Sequence, residues 1–222
     1  SKVVRTTDCG RTWDVVFTEP RQQVLLTSLV LDAYNPTILY LATSEGDLLQ
    51  TRNMGDTWSV VKRFDDGIGK LMLGLQDTRV IYVATKENGI WVSLDRGIFW
   101  NSWSSALNGF VGSSAFVDLV EDPHNAQHLI LISGFGLLQT FDRGGRFEAL
   151  PIITRPQEVL ITSFAFNPQY PQELYYTDTV NMYRSQDAGA TWTPKKIGFT
   201  KRVYRLLIDP YHTNVMYLGL SH

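Results

Sequence analysis

An all-β chain built from four-stranded antiparallel units is what this sequence predicts, and three observations predict it. The octapeptide TTDCGRTW at residues 6–13 returns as TRNMGDTW at 51–58, SLDRGIFW at 93–100, TFDRGGRF at 140–147 and SQDAGATW at 185–192. Successive starts lie 45, 42, 47 and 45 residues apart, a period that marks propeller blades or solenoid units. Between these boxes short apolar runs alternate with Pro, Asn and Gly turns, as in SLVLDAYNPTILYLATSEGDLLQT, and no amphipathic helix of ordinary length interrupts them. Together they read as a five-bladed β-propeller of four-stranded antiparallel blades, a single domain over residues 1–222 with blade repeats of about 44 residues.

Each repeat takes its elements in one order. A first strand runs into a Pro or Asn turn, a second strand into a Gly or polar turn, and a third strand into the box; a fourth strand such as WSVVKR follows. The box is then the hairpin between third and fourth strands. Asp8, Asn53, Asp95, Asp142 and Asp187 offer side-chain oxygens to local N–H groups, and Gly10, Gly55, Gly97, Gly144 and Gly189 admit positive φ. Trp13, Trp58, Trp100, Phe147 and Trp192 close the boxes, each a large aromatic whose full burial contributes on the order of 4–6 kcal/mol before entropy. The boxes are therefore expected to fold the blades and to do no chemistry. A calcium loop needs several oxygen ligands, whereas each box carries one carboxylate, so no metal and no cofactor is expected.

The pattern S/T-x-D-x-G-x-T-W resembles the Asp-box, or bacterial neuraminidase repeat, of sialidases, sortilin-like propellers, xyloglucan-cleaving glycosidases and photosystem II assembly-factor-like proteins. DPYHTNVMYLG and ENGIWVSLDRG are closest in style to the sortilin-like and assembly-factor-like group. Asn53 for Asp, Phe99 for Thr and Phe147 for Trp depart from the pattern. The resemblance implies a propeller, an extracytoplasmic setting (periplasmic, secreted or membrane-tethered) and a protein or peptide partner. It does not separate enzymes from non-enzymes, which share the box.

Composition excludes some partners. A net charge of −2 gives no general basic field for nucleic acid, so none is expected as a partner. Cys9 is the only cysteine, which removes intrachain disulfides and cysteine-rich zinc sites. No apolar run reaches the roughly 18–20 residues of a membrane-spanning helix, and the start does not read as a signal peptide.

The two ends are complementary. MYLGLSH stops where a second strand should lead to a third, and SKVVRTTDCGRTW opens on a third strand. Joined, they give 19 residues from Tyr217 round to Trp13, matching the 19 from Tyr40 to Trp58. The expectation is a closed ring whose last blade takes strands from both termini, which would hide two strand edges. The alternative is a segment of a longer propeller.

Ligand sites in propellers lie where the innermost strands begin. Aligning the repeats on Asp32, Gly74, Asp122, Asn167 and Asp209 brings Ser28, Lys70, Asp118, Ser163 and Arg205 to one equivalent position near that entrance. Arg205 and Lys70 suit a carboxylate or phosphate; the bland reading is that Asp118 pairs with its basic neighbours. The long connection after the third box adds Trp103, Phe110 and Phe116, aromatic binding candidates that could equally plug the channel. No GxSxG, HExxH, Walker or GxGxxG motif is present, and His124 and His212 read as solvated turn residues. Arg205 is the one arginine of the inner ring, too few for a sialidase, and Asp118 lacks a second inner carboxylate, although Asp65 or Asp66 could reach in from a loop. The reading is a non-catalytic binding or assembly platform. The alternative is a glycoside hydrolase, sialidase-like or xyloglucanase-like, or a carbohydrate-binding propeller using the same mouth. Two carboxylates across the mouth would favour the enzyme, and an Asp118 bridged to Arg205 or Lys70 the platform.

Overall fold

The computed structural model describes residues 1–155, 157–198 and 202–220. Two compact units divide the chain, Ser1–Trp103 and Ser104–His222. Among the described residues every regular element is a strand, and no helix is long and apolar enough to cross a membrane.

In the first unit β1 (Lys2–Arg5) and β2 (Asp14–Thr18) form a two-stranded antiparallel sheet. β3 (Leu26–Leu31), β4 (Leu39–Thr43), β5 (Asp47–Thr51) and β6 (Ser59–Arg63) follow as a four-stranded antiparallel meander. β7 (Ile68–Leu73), β8 (Ile81–Thr85), β9 (Ile90–Ser93) and β10 (Asn101–Ser102) repeat it. The second strands, LYLAT and IYVAT, are apolar but for a closing Thr because both of their faces are covered. Tyr40, Leu48, Phe64, Ile68, Ile81 and Val83 from both meanders make one buried cluster, so each sheet is covered by the next.

The second unit holds two more meanders: β11 (Phe116–Asp122), β12 (Asn125–Ser133), β13 (Gly136–Thr140) and β14 (Glu148–Ala149), then β15 (Ser163–Phe166), β16 (Leu174–Thr177), β17 (Asn181–Ser185) and β18 (Thr193–Lys196). It also holds the two-stranded sheet of β19 (Val203–Ile208) and β20 (Met216–Leu220). Ile130, Ile132, Leu137, Phe164 and Tyr176 fill the space between the two meanders, and Ala165, Tyr175 and Leu206 begin a smaller cluster against β19. The four-stranded repeat expected from the sequence is present four times within these units, beside two two-stranded sheets.

The boxes sit between third and fourth strands as expected, and their geometry is uniform. In the first, the Thr6 hydroxyl donates to Asp8 Oδ1 (2.8 Å) and accepts from the Gly10 N–H (2.8 Å). Asp8 in turn accepts from the Thr12 N–H (2.9 Å) and hydroxyl (2.7 Å). The residue before each box glycine is also left-handed: Cys9, Met54, Arg96, Arg143 and Ala188 have φ of 60, 57, 62, 58 and 56°. With the glycines at 88–101° this is the φ pair of a type I′ hairpin turn, whose twist matches the flanking strands. The side-chain bonds within the box hold a non-glycine residue there.

Those bonds hold the Asp8 and Asp187 carboxyls at about 2, below the usual carboxylate range, the leading cause being the Thr12 N–H for Asp8 and the Thr191 hydroxyl for Asp187. A carboxyl lowered in the folded state stabilises the fold above its unfolded value near 3.8 and loses that contribution as pH falls toward 2. Melting temperature should therefore decline across that acid window, and the decline should be shallower in Asp8→Asn/Asp187→Asn. A variant with an unchanged acid limb would remove the boxes from the account.

Three of the box aromatics reach back to the preceding repeat. Trp58 Nε1 donates to Val16 O (3.0 Å) and its ring meets Phe17 at 5.6 Å; Trp192 Nε1 donates to Pro151 O (2.7 Å). Trp100 meets Phe64 edge-on at 5.2 Å. Trp58, Trp100 and Trp192 thus staple one sheet to the end of the sheet before it.

Candidate functional site

The candidate residues share a backbone device. The register of the first strand slips between Leu26 and Ser28 in β3, Ile68 and Lys70 in β7, Phe116 and Asp118 in β11, and Val203 and Arg205 in β19. One extra residue, respectively Thr27, Gly69, Val117 and Tyr204, bulges from the ladder just before each candidate, and such bulges re-aim the side chains around them. Tyr204 is 73% exposed at its bulge, so it faces away from the packed side. In β15, Ser163 opens the strand and pairs with Thr177.

Within the first unit β3 lies beside β7, and Ser28 and Lys70 are both half-buried there. Within the second, β15 lies between β11 and β19, and three candidates meet. Arg205 Nη1 donates to Asp118 Oδ2 at 2.5 Å. The Asp118 side chain is 10% exposed and that of Arg205 48%, so a covered carboxylate is held by a guanidinium with one side in solvent. Asp118 Oδ1 accepts the Leu119 N–H (2.8 Å), and buried Ser163 Oγ accepts the Leu206 N–H (3.1 Å), which ties β15 to β19.

The aromatic candidates separate. Trp103 is 2% exposed and packs 5.8 Å from Tyr82, a core residue of the first unit rather than a displayed one. Phe110 is half-buried edge-on to Phe135 at 5.2 Å, and Phe116 is half-buried on β11 opposite Ser133. Asp66 does not offer a free carboxylate: it accepts the Glu87 and Asn88 N–H groups, and although burial works to raise its pKa, those bonds outweigh it and keep it low. His212 is exposed as expected, while His124, also in a turn, brings Nε2 to 3.2 Å from Asn167 O.

Three polar clusters escaped the sequence reading because their members are brought together by folding. Arg21 forks onto Glu19 (2.7 and 3.0 Å) and reaches Asp47 (2.5 Å), which also takes Arg63 (3.1 Å); the Arg21 bonds hold Glu19 below the usual carboxylate range. His128 Nδ1 lies 2.8 Å from Asp122 Oδ2 and its ring stacks on Phe141 at 4.4 Å; burial works against ionised Asp122, but the bonds from His128 and the His124 N–H keep its pKa low. Tyr175 donates to Glu173 (2.7 Å), an arrangement that looks like a carboxylate-assisted nucleophile. Burial, and then Glu173, push the Tyr175 hydroxyl up to about 12, away from what a nucleophile needs, and Arg184 also holds Glu173. Among the described residues no group of three or more His, Cys, Asp or Glu is placed to hold a metal ion.

No protein-family model matches this sequence, and no curated protein does. Solved structures do match the backbone. An ancestral GH74 enzyme superposes with a TM-score of 0.72 at 17% identity, over 96% of this chain and 31% of the enzyme. The extracellular domain of the one-component system BT4673 from B. thetaiotaomicron gives 0.71 at 14% identity, over 94% of this chain and 27% of that one. YCF48 from Cyanidioschyzon merolae gives 0.58 at 13% identity, over 89% of this chain and 72% of YCF48. The fold is that of the β-propeller proteins. The four-stranded meanders are therefore blades, and the bulged first strands their innermost strands. The propeller chain spans less than a third of the GH74 and BT4673 chains, and at these identities the likeness speaks to fold alone.

Proposed function

We propose that this propeller is a non-catalytic binding or assembly platform for a protein or peptide partner, working outside the cytoplasm. The observation that carries this reading is the Asp118–Arg205 pair. Glycoside hydrolysis on this model needs two carboxylates with different proton occupancy, and Asp118 is the single carboxylate of the candidate set, committed to a guanidinium. Arg205, half in solvent, keeps N–H groups for a carboxylate on the partner. The likeness to an extracellular domain supports the setting. The likeness to a GH74 enzyme favours a second reading, a carbohydrate-binding or glycoside-cleaving propeller using the same strands.

A panel of sialosides, β-glucan and xyloglucan oligosaccharides separates the two. No turnover is expected, and cross-linked capture from a membrane extract should yield a partner that Arg205→Ala no longer retains. Turnover that disappears in Asp118→Ala would overturn the platform.

We also infer a five-bladed ring of Asp-box blades in which β19–β20 and β1–β2 are the two halves of the last blade. Leu41 stands opposite Leu49 on β4 and β5, and on the repeat this inference would set Leu218 opposite Val4; Ser221 and His222 lie outside the described residues. In a Cys9→Ser background, Val4→Cys with Leu218→Cys should form a disulfide within one chain. Cross-links only between chains would refute closure.

A further inference from the structure

The third box keeps the backbone of the others and abandons their surface. Where Thr12, Thr57 and Thr191 turn hydroxyls onto the box Asp or Asn, this box carries Phe99. The Phe99 and Ile98 N–H groups still donate to Asp95 Oδ1 (2.9 and 3.0 Å), and Arg96 and Gly97 keep φ of 62 and 91°. The turn is therefore as fixed as its neighbours, yet Phe99 is 74% exposed and Ile98 73%, with Leu94 at 49% beside them. A rigid hairpin presenting two bulky apolar side chains to water is a docking element waiting for an apolar phase.

The tip carries a positive charge. Arg96 lies on the tip itself, and Arg52, in the preceding box of the same unit, donates to Gln50, which is bonded to the Tyr40 hydroxyl. Neither has an ion pair among the described residues, Arg52 donating only to Gln50 Oε1 (3.1 Å). The carboxylates of this region are engaged: Asp95 inside the box, Asp77 by Arg79, Asp56 by Arg5 and Asp32 by the Tyr34 and Asn35 N–H groups. Apolar residues at the tip with uncompensated arginines at its base match a bilayer surface, acyl boundary below and anionic headgroups above, better than an uncharged protein pocket.

We propose that the third box, through Ile98 and Phe99 with Arg52 and Arg96, docks this propeller onto a membrane surface bearing anionic lipid. The contact is peripheral and reversible, since one hairpin tip inserts no spanning element.

Co-sedimentation with phosphatidylcholine–phosphatidylglycerol vesicles, against phosphatidylcholine alone, tests this. The protein should partition onto the anionic vesicles, with binding that weakens as salt is raised. Ile98→Ser/Phe99→Thr should lower the partition at least about tenfold, from the apolar area lost. Phe99→Thr restores the box hydroxyl, so an unchanged or higher melting temperature separates lost docking from lost fold. Arg52→Gln and Arg96→Gln should each lower it by about fivefold. Absence of wild-type binding, equal binding to neutral vesicles, or a double variant that binds as wild type would each overturn the proposal. So would capture of a soluble protein through Phe99 with no vesicle binding.

Discussion

Gly97→Ala is expected to destabilise the protein by about 2–4 kcal/mol, combining a left-handed alanine with an overpacked contact. A Cβ at Gly97 would stand 2.3 Å from Val61 Cγ1 on β6, the last strand of the preceding blade, and φ there is +91°. At Gly10, with a nearly identical φ of +88°, the same Cβ would meet only Trp13 Cζ2 at 3.9 Å. Gly10→Ala should therefore lose only the conformational part, about 1–2 kcal/mol. The difference, read from paired denaturant curves, isolates the approach of one box to its neighbouring strand. Val61→Ala should recover part of the Gly97→Ala loss as a coupling. Equal losses at Gly10 and Gly97 would mean that the box glycines serve the turn alone.

The second large effect is expected at Trp192. Its indole donates to Pro151 O (2.7 Å) and meets Tyr176 edge-on at 4.7 Å, so Trp192→Ala should remove about 2–4 kcal/mol, the lower side of the range for truncating a large aromatic because the residue is partly exposed. Trp13 occupies the same place in its box but is 57% exposed. Trp13→Ala should remove less than about 1 kcal/mol in this chain. Thermal melts of both variants decide the matter, and a Trp13→Ala loss as large as that of Trp192→Ala would show that the aromatic acts within its own box rather than on the blade before it.

How far the sequence speaks depends on whether a feature is local. Strand order, box position and left-handed glycines follow from residues a few places apart, and TTDCGRTW could be read as a hairpin before any coordinates. That the residue before each glycine is also left-handed was not legible, because Cys9, Met54, Arg96, Arg143 and Ala188 share no side-chain chemistry. The meeting of Asp118 with Arg205, 87 residues on, was legible only through the repeat, which turns a distant pair into neighbours on equivalent strands. Trp103 went the other way. Its aromatic loop context reads as display, and only packing against Tyr82 shows it to be core. The Arg21, His128 and Tyr175 clusters have no repeat behind them, so nothing in the text announced them.

The bulge before Ser28, Lys70, Asp118 and Arg205 has a wider consequence. Because the ladder resumes at those residues whatever their side chains, a hydroxyl, an ammonium, a carboxylate and a guanidinium are all accommodated by one backbone. Each inner strand thus separates a constant frame from an interchangeable side chain. Lys70→Glu or Ser28→Arg would change the charge at its position without disturbing a strand pairing, so the side chain there can vary while the shape of the strand stays.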